Sequence, residues 1–467
     1  MNKYSVKIYN FIDRINNQFG FDFTHLINIE NPFILKIKSI IDKVLDEKID
    51  YTVTKNSVVT QLETDKKYPL LYTFLKRYIE KSKEQNKPIN LPNPEYFDNH
   101  NPLKFRDFLI YYLNHSIQID YTKIKQRINE FNDSELNELY NKIFDQQGIR
   151  KTLHEILYGN PFVGLDVTHY AESVELHYFN VDSDFFNVDL YVEQSFLPDI
   201  NILMLKIATI LSIMKLIADE FNLQRNNNKV KVRILLSTQR KSLFSKYDII
   251  GPINVNSGST LPGEYVNIWR VEEFEKVLIH EIQHYYGCDF HSSDPNYYLI
   301  KNVIEKHFDI DGDDKVNESY NEALAHIIAM VYFSKIHKIQ LQDVYHHELY
   351  FLIFQTAKII EYFDGKKYEL VFRSEKGHII INQRTSVLSY YLIKTLFMFY
   401  INYTTKFINQ ISMQCNDKRS IEILSKFIEI IIQDRSIGKY ITPLIRLIKK
   451  NKSDKFIYKT MRMTGIN

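Results

Sequence analysis

The sequence has little of what staples small secreted domains together. Only two of its 467 residues are cysteine, Cys288 and Cys415, which excludes a disulfide framework and favours a reducing, intracellular setting. Glycine (13) and proline (12) are scarce, so few positions break regular structure and long helices are expected. An excess of one charge is missing too. The 59 basic residues nearly cancel the 57 acidic ones, for a net charge of +2, so no global field draws the chain to nucleic acid or to an anionic membrane. The first twenty residues hold no apolar run of signal-peptide length.

What is present fits a globular protein. Hydrophobic residues make up 45% of the chain and charged residues 25%, a balance with ample apolar material for a core. The length suggests two or three domains. Tyr (33) and Phe (31) are plentiful, and Asn, Ile and Lys are abundant. Such a bias is common to AT-rich genomes, those of giant DNA viruses among them, a reading that would put the protein in the cytoplasm or in a virion. Two apolar stretches, 201–221 and 386–403, are interrupted by Lys206 and Lys215 and by Lys394. They read as core helices with snorkelling lysines, so no membrane span is expected.

Pro88, Pro92, Pro94 and Pro102 mark an extended connection within a helix-rich region over residues 1–150. There Phe33, Ile34, Ile37, Ile40, Ile41 and Val44 recur at helical spacing, and 105–117 and 136–144 also read as helices. No catalytic motif accompanies them. From about residue 159 the pattern becomes alternating. Val174, Leu176 and Tyr178, then Val188, Leu190 and Val192, then Val230, Val232 and Ile234 step by two, as half-buried strands do. An apolar helix over 201–221 separates the second set from the third. A short strand is expected over 265–270 and a helix over 271–286, capped by Gly287. Mostly helix follows from about 293, with a hairpin near 368–381. The fold class is α+β: a helical N-terminal region (1–150), a mixed sheet with its helix (151–292), and a helical C-terminal lobe (293–467).

The helix over 271–286 carries His280-Glu281-Ile282-Gln283-His284. Histidines four apart stand about 40° apart and one turn up, so both imidazoles reach one ion. Neutral imidazole is a good zinc ligand. Glu281 lies about 100° round the helix from His280. It stands beside the ion rather than on it, where it takes a proton from an activated water without filling a coordination position. Val271, Phe274, Leu278, Ile282 and Tyr285 form a core-facing stripe. Glu272, Glu273 and Glu275 occupy the first turn, where acids complement the helix dipole. A catalytic zinc takes a third protein ligand and keeps one position for water. Downstream, Asn317-Glu318-Ser319-Tyr320-Asn321-Glu322-Ala323-Leu324-Ala325-His326 offers two glutamates four apart on one helix face. His291 is a further alternative, although a metzincin would place its ligand at the position of Phe290. Asp289, five after His284, fits no familiar ligand spacing.

The HExxH pattern at His280 to His284, followed by Asn321-Glu322-Ala323-Leu324-Ala325, resembles the gluzincin metallopeptidases, the thermolysin and aminopeptidase group. The resemblance implies a zinc-dependent hydrolase of peptide bonds, with Zn2+ as cofactor and a protein or peptide as substrate. It implies His280, His284 and Glu322 as metal ligands, with Glu318 as the alternative ligand or a neighbour behind it. His326 stands where thermolysin-like proteins carry an acid that orients a zinc histidine, a departure from the group's pattern. A Tyr or His from the later helices would steady the oxyanion: Tyr390 or Tyr391, or one of His307, His326, His346 and His347. Ala323, Ala325 and Ala329 are small enough to let this helix approach the HExxH helix closely. The order of elements over 171–286 is that of a zincin upper lobe, with 265–270, including Asn267 and Trp269, as the substrate edge strand. Residues 1–150 lie outside the resemblance.

Weaker signals compete. Asp309, Asp311, Gly312 and Glu318 fall at EF-hand offsets, but His307 replaces the first Asp, and an acidic turn is the plainer reading. The stretch 446–462 is rich in basic residues, and a solvated helix face explains it more simply than a nucleic-acid partner. A reading from another class is an inactive zincin-fold protein, structural or virion-associated. The intact Glu281 counts against it, because a retired site has no need of a base beside its histidines.

Overall fold

The computed structural model describes residues 3–59 and 148–466, apart from 158–159, 161, 224–228, 244–248, 291–293, 313–314 and 451–454. The protein is α+β. Two helices come first, α1 (Lys3–Phe19) and α2 (Pro32–Asp46), followed by β1 (Thr52–Val59). Asn31 caps α2 by accepting from Phe33 N, and Pro32 sits at the first position, where no N–H is needed. The helices expected over 105–117 and 136–144, and the proline-rich connection, lie outside the described residues.

Next come α3 (Gly148–Leu157), α4 (Leu165–Ser173), β2 (Leu176–Asp182), β3 (Phe186–Glu193), α5 (Ile200–Glu220), β4 (Val230–Leu235), β5 (Gly258–Leu261) and β6 (Tyr265–Ile268). The strands form a six-stranded sheet in the order β1-β2-β3-β4-β6-β5. The β3-β4 and β4-β6 pairs are parallel and the other three antiparallel. Val230, Val232 and Ile234 are buried while Lys231 is exposed, the alternation read from β4. The parallel β3-β4 pair needs a crossover, which α5 provides. Its Leu203, Ile207, Ile210, Met214 and Ile217 face the core, and Lys206 and Lys215 turn out to Glu275 (2.7 Å) and Asp219 (3.0 Å). Among the described residues this is the one helical stretch long and apolar enough to cross a bilayer, yet 56% of its most apolar window is buried inside the fold.

The strand at 265–268 is not an edge. Leu261-Pro262-Gly263-Glu264 carries the type II turn signature, with Gly263 at φ 72° and Glu264 N donating to Leu261 O at 3.0 Å. The turn folds β5 back outside β6, so the rim is 258–261. Asn267 and Trp269, expected on that rim, are buried.

The rest is mostly helical: α6 (Phe274–Tyr285), α7 (Tyr298–His307), β7 (Asp309–Gly312), α8 (Asn317–His337), α9 (Leu341–Tyr362) and β8 (Ile380–Gln383). A π-helical turn, Leu388–Ile393, runs into α10 (Lys394–Phe399), and α11 (Ile401–Gln410), α12 (Lys418–Gln433), α13 (Gly438–Lys450) and α14 (Lys455–Lys459) follow. β7 pairs with β8 in parallel, so the hairpin expected near 368–381 does not form. Asp309 and Asp311 therefore lie on a strand, and Asp309 is held by Arg373 and His378 at 3.0 Å each.

A large apolar core joins Ile8 and Phe33 from the first helices to Ile207, Leu278, Ile353 and Ile441. Residues 3–59 therefore pack within the same body as the sheet and the later helices. A second cluster, with Leu153, Val167, Tyr191, Leu235 and Trp269, covers part of the sheet from its other side. Both cysteines are free and buried. In the basic stretch 446–462, Arg462 is buried near Glu272 (3.9 Å) and is not part of a solvated face. Phe33 is fully buried on α2 with its ring 5.8 Å from that of Phe221. Phe33→Ala should cost about 3–5 kcal/mol of stability, seen as a lower urea midpoint at unchanged slope.

Candidate metal centre

The helix that carries the HExxH motif starts and stops on special backbone. Glu273, just before α6, has φ 63° and ψ 21°, a left-handed conformation that is uncommon outside glycine. Glu272 and Glu273 are both buried, so they do not serve the helix dipole from solvent as their sequence position suggests. Lys241 Nζ donates to Glu273 Oε2 at 2.8 Å, and Lys241 N to Glu272 Oε2 at 2.7 Å. At the other end Gly287, at φ 66°, caps the helix. Its N–H reaches His284 O and that of Cys288 reaches Gln283 O, both at 3.1 Å, the paired bonds of a Schellman cap. That reversal brings Asp289 back beside His284.

α8 packs along α6, and Ala323 and Ala325 are fully buried between neighbours. His280 Nε2 and His284 Nε2 stand 3.0 Å apart, and Glu318 Oε2 lies 3.4 Å from the first and 3.5 Å from the second. Ligands at 2.0–2.1 Å from a tetrahedral zinc are about 3.3 Å from one another. Two imidazoles and a carboxylate at this spacing therefore fit such an ion in donor type and in geometry.

The carboxylate expected there was that of Glu322, and the structure corrects this by one helical turn. Glu322 Oε2 accepts from Lys276 on α6 and from Lys394 on α10, the latter at 3.2 Å, and Glu322 Oε1 lies 3.3 Å from His280 Nδ1. The two buried lysines draw Glu322 behind His280 and leave Glu318 facing the two Nε2 atoms. Burial alone would raise the Glu322 carboxyl, but Lys276 and Lys394 outweigh it and hold it well below the usual carboxylate range. Burial would raise Glu318 too, and His284 and His280 bring it below its ordinary value.

The outer nitrogen of each imidazole faces a carboxylate. Glu322 stands at His280, and Asp289 Oδ1 lies 3.2 Å from His284 Nδ1, with Asn321 Nδ2 3.0 Å from the same atom. Asn317 Nδ2 donates to Asp289 Oδ2 at 2.9 Å. A carboxylate beside the outer nitrogen favours a proton there and leaves the inner nitrogen to face a metal. Burial lowers the His284 pKa, but Asp289 and Glu318 outweigh it and raise it well above the ordinary value. Sequence spacing gave Asp289 no role, and the usable signal was the Gly287 cap that turns the chain back.

Glu281 stands apart from the triad, against the edge strand. Thr260 Oγ1 donates to Glu281 Oε2 at 2.7 Å. A Cβ on Gly258 would come 2.5 Å from Glu281 Oε1, so glycine is what lets strand and carboxylate meet. Burial raises the Glu281 carboxyl against the pull of His280 and His284. Neither Gly258 nor Thr260 was anticipated, because Gly-Ser-Thr-Leu carries no apolar alternation.

All of this opens on a cleft of about 470 Å³, lined by β5 and by Phe162, Lys315, Arg384 and Tyr390. Tyr390 comes from the π-helical turn, a distortion frequent at functional sites. Tyr391 faces away, fully buried, its hydroxyl donating to Met461 O at 2.5 Å. His326 is buried with Nε2 2.8 Å from Glu348 Oε2, away from the triad. His291 lies outside the described residues. The chain matches no family model, no curated protein and no solved structure.

Glu318→Gln should lower the affinity for added zinc at least tenfold, the lower end for disturbing a metal shell, and should cost less stability than loss of the Glu322 charge, because Glu318 is paired with histidines and not with buried ammonium groups. Glu322→Gln would strand two buried lysines and should cost about 3–5 kcal/mol of stability. Chelator competition paired with urea unfolding reads both. Acid supplies a further check. Glu273, Glu322 and Glu348 all hold pKa values below their ordinary 4.5 despite burial, through Lys241, through Lys276 and through His326 respectively. Their contribution is complete above the ordinary value and is lost as pH falls through the lower folded values. The melting temperature should therefore fall as the pH drops below about 4.5.

Proposed function

We propose that the protein is a zinc-dependent metallopeptidase of the gluzincin type. The observation that carries this reading is the convergence of His280, His284 and Glu318 on one point, with Glu281 beside that point and not on it. The one-turn shift supports the resemblance. With Glu318 as third ligand, Glu322 becomes the acid four residues on that orients a zinc histidine in thermolysin-like proteins, and the departure at His326 disappears. A zinc ion held by the three residues would supply Lewis acidity and lower the pKa of a bound water.

The chain's own residues do the rest. Glu281, its proton affinity raised by burial, takes the proton of the attacking water and passes it to the departing amine. Thr260 keeps that carboxylate turned to the cleft. Trp269 N donates to Ser257 O. Alternation along an antiparallel ladder then turns the main-chain groups of Gly258 and Thr260 outward, where an extended peptide adds as a further strand. Tyr390, which also lines the cleft, steadies the developing oxyanion. Tyr391 has no part in this, because its hydroxyl is committed to Met461.

Purified protein should carry about one zinc per chain, lost on His280→Ala. Glu281→Gln should keep the metal and lower the cleavage of a proteome-derived peptide library by about 10²–10⁴-fold, the usual contribution of a general base. Zinc-loaded wild type that cuts no peptide, or cleavage that survives Glu281→Gln unchanged, would overturn the reading.

A further inference from the structure

Residues 460–466 are all buried, yet outside the bridge at Thr460 they form neither helix nor strand. Irregular backbone normally runs over the surface, where water meets its polar groups. Here buried side chains meet them instead. Glu273 Oε1 accepts from Met463 N at 2.6 Å and from Thr464 N at 2.5 Å. Lys394 Nζ donates to Met463 O at 2.9 Å. Glu348 accepts from Thr464 Oγ1 (2.5 Å), Gly465 N (3.0 Å) and Ile466 N (2.8 Å). Buried charges are a poor device for stability alone, since apolar packing of similar volume serves as well or better.

Two of these contacts lead to the metal centre. Lys394 is shared between Met463 O and Glu322 Oε2, and Glu322 is the carboxylate behind His280. Glu273 is the left-handed residue from which α6 starts, seven residues before His280, and it is gripped by two N–H groups of the segment. A non-glycine residue keeps that conformation only where its surroundings over-determine it.

We propose that the 460–466 segment is a positioning element of the metal centre, acting through Lys394 and Glu273. It sets Glu322 against the outer nitrogen of His280 and sets the start of the HExxH helix. Displacing it lowers zinc affinity without touching a ligand. The inference rests on the zinc reading above.

Three full-length variants test it. Lys394→Met removes the shared cation. Gly465→Val pushes the segment outward, because even a Cβ there would come 2.9 Å from Glu348 Oε1 and 3.3 Å from Ile8 Cγ2. Thr464→Val is isosteric and removes the hydroxyl's bond to Glu348 and its contacts with Ile466 N and O within the segment. For each, chelator competition gives the zinc affinity, the visible spectrum of the Co(II)-substituted protein reports ligand geometry, and far-UV circular dichroism reports folding. Lys394→Met and Gly465→Val should weaken zinc binding at least tenfold and shift the cobalt bands in folded protein, and Thr464→Val should do so by a smaller factor. A purely structural role would leave affinity and cobalt spectrum at wild-type values in every variant that folds, and that result overturns the proposal. If the first two variants do not fold, Thr464→Val decides alone by the same criterion. A wild type that binds no zinc would instead sink the metallopeptidase reading, and so is distinguishable from failure of this inference.

Discussion

One buried carboxylate sets the register of the two helices that build the site. Glu322 on α8 lies in the interior, where an unpaired charge would be costly by several kcal/mol. It is matched by Lys276 and Lys394. Lys276 stands one turn before His280 on the same helix, so the oxygen that meets the lysine and the oxygen that meets His280 Nδ1 belong to one group. Turning α8 by a single residue, about 100°, would carry Glu322 away from both lysines. That pairing fixes the phase of the two helices.

From that phase the rest of the site follows. Glu318, one turn earlier on α8, falls opposite the two Nε2 atoms. The Gly287 reversal returns Asp289 to His284, and the type II turn at Pro262-Gly263 lays β5 against Glu281. Environment then divides the work among similar side chains. Glu318 and Glu322 sit among cationic or ionisable nitrogens and are kept ionised, as acceptors. Glu281 is governed by burial and keeps its affinity for a proton, as a base must.

What could be read from the sequence was what depends on one element at a time. The strands at β2, β3, β4 and β6, the helix α5, the HExxH face of α6 and the Gly287 cap all follow from local periodicity or turn chemistry. What could not be read depends on a meeting between elements. Glu318 and Glu322 share a face of α8, and Lys276 together with Lys394, the latter from a helix 72 residues after Glu322, decides which of them sits behind His280. Glu272 and Glu273 look like dipole partners until Lys241 and the 460–466 segment arrive from elsewhere. Tyr390 and Tyr391 are adjacent, and only the fold shows that Tyr390 lines the cleft while the Tyr391 hydroxyl is committed to Met461 O. β5 was missed for a different reason. Four residues with no apolar alternation carry no strand signal of their own, and this strand exists because a turn folds it onto β6.

The same reasoning extends to the charge of the centre. Four carboxylates gather around the two histidines: Glu281, Asp289, Glu318 and Glu322. The buried ammonium groups of Lys276 and Lys394 are both spent on Glu322, so Glu281, Asp289 and Glu318 have only the histidines close by. Burial pushes the Glu281 carboxyl up, and Asp289 and Glu318 push His284 up against burial, so both groups bind a proton more readily than usual. On the zinc reading proposed above, a divalent cation would compete with those protons for the same acidic cluster, and metal affinity would rise as protons became scarcer.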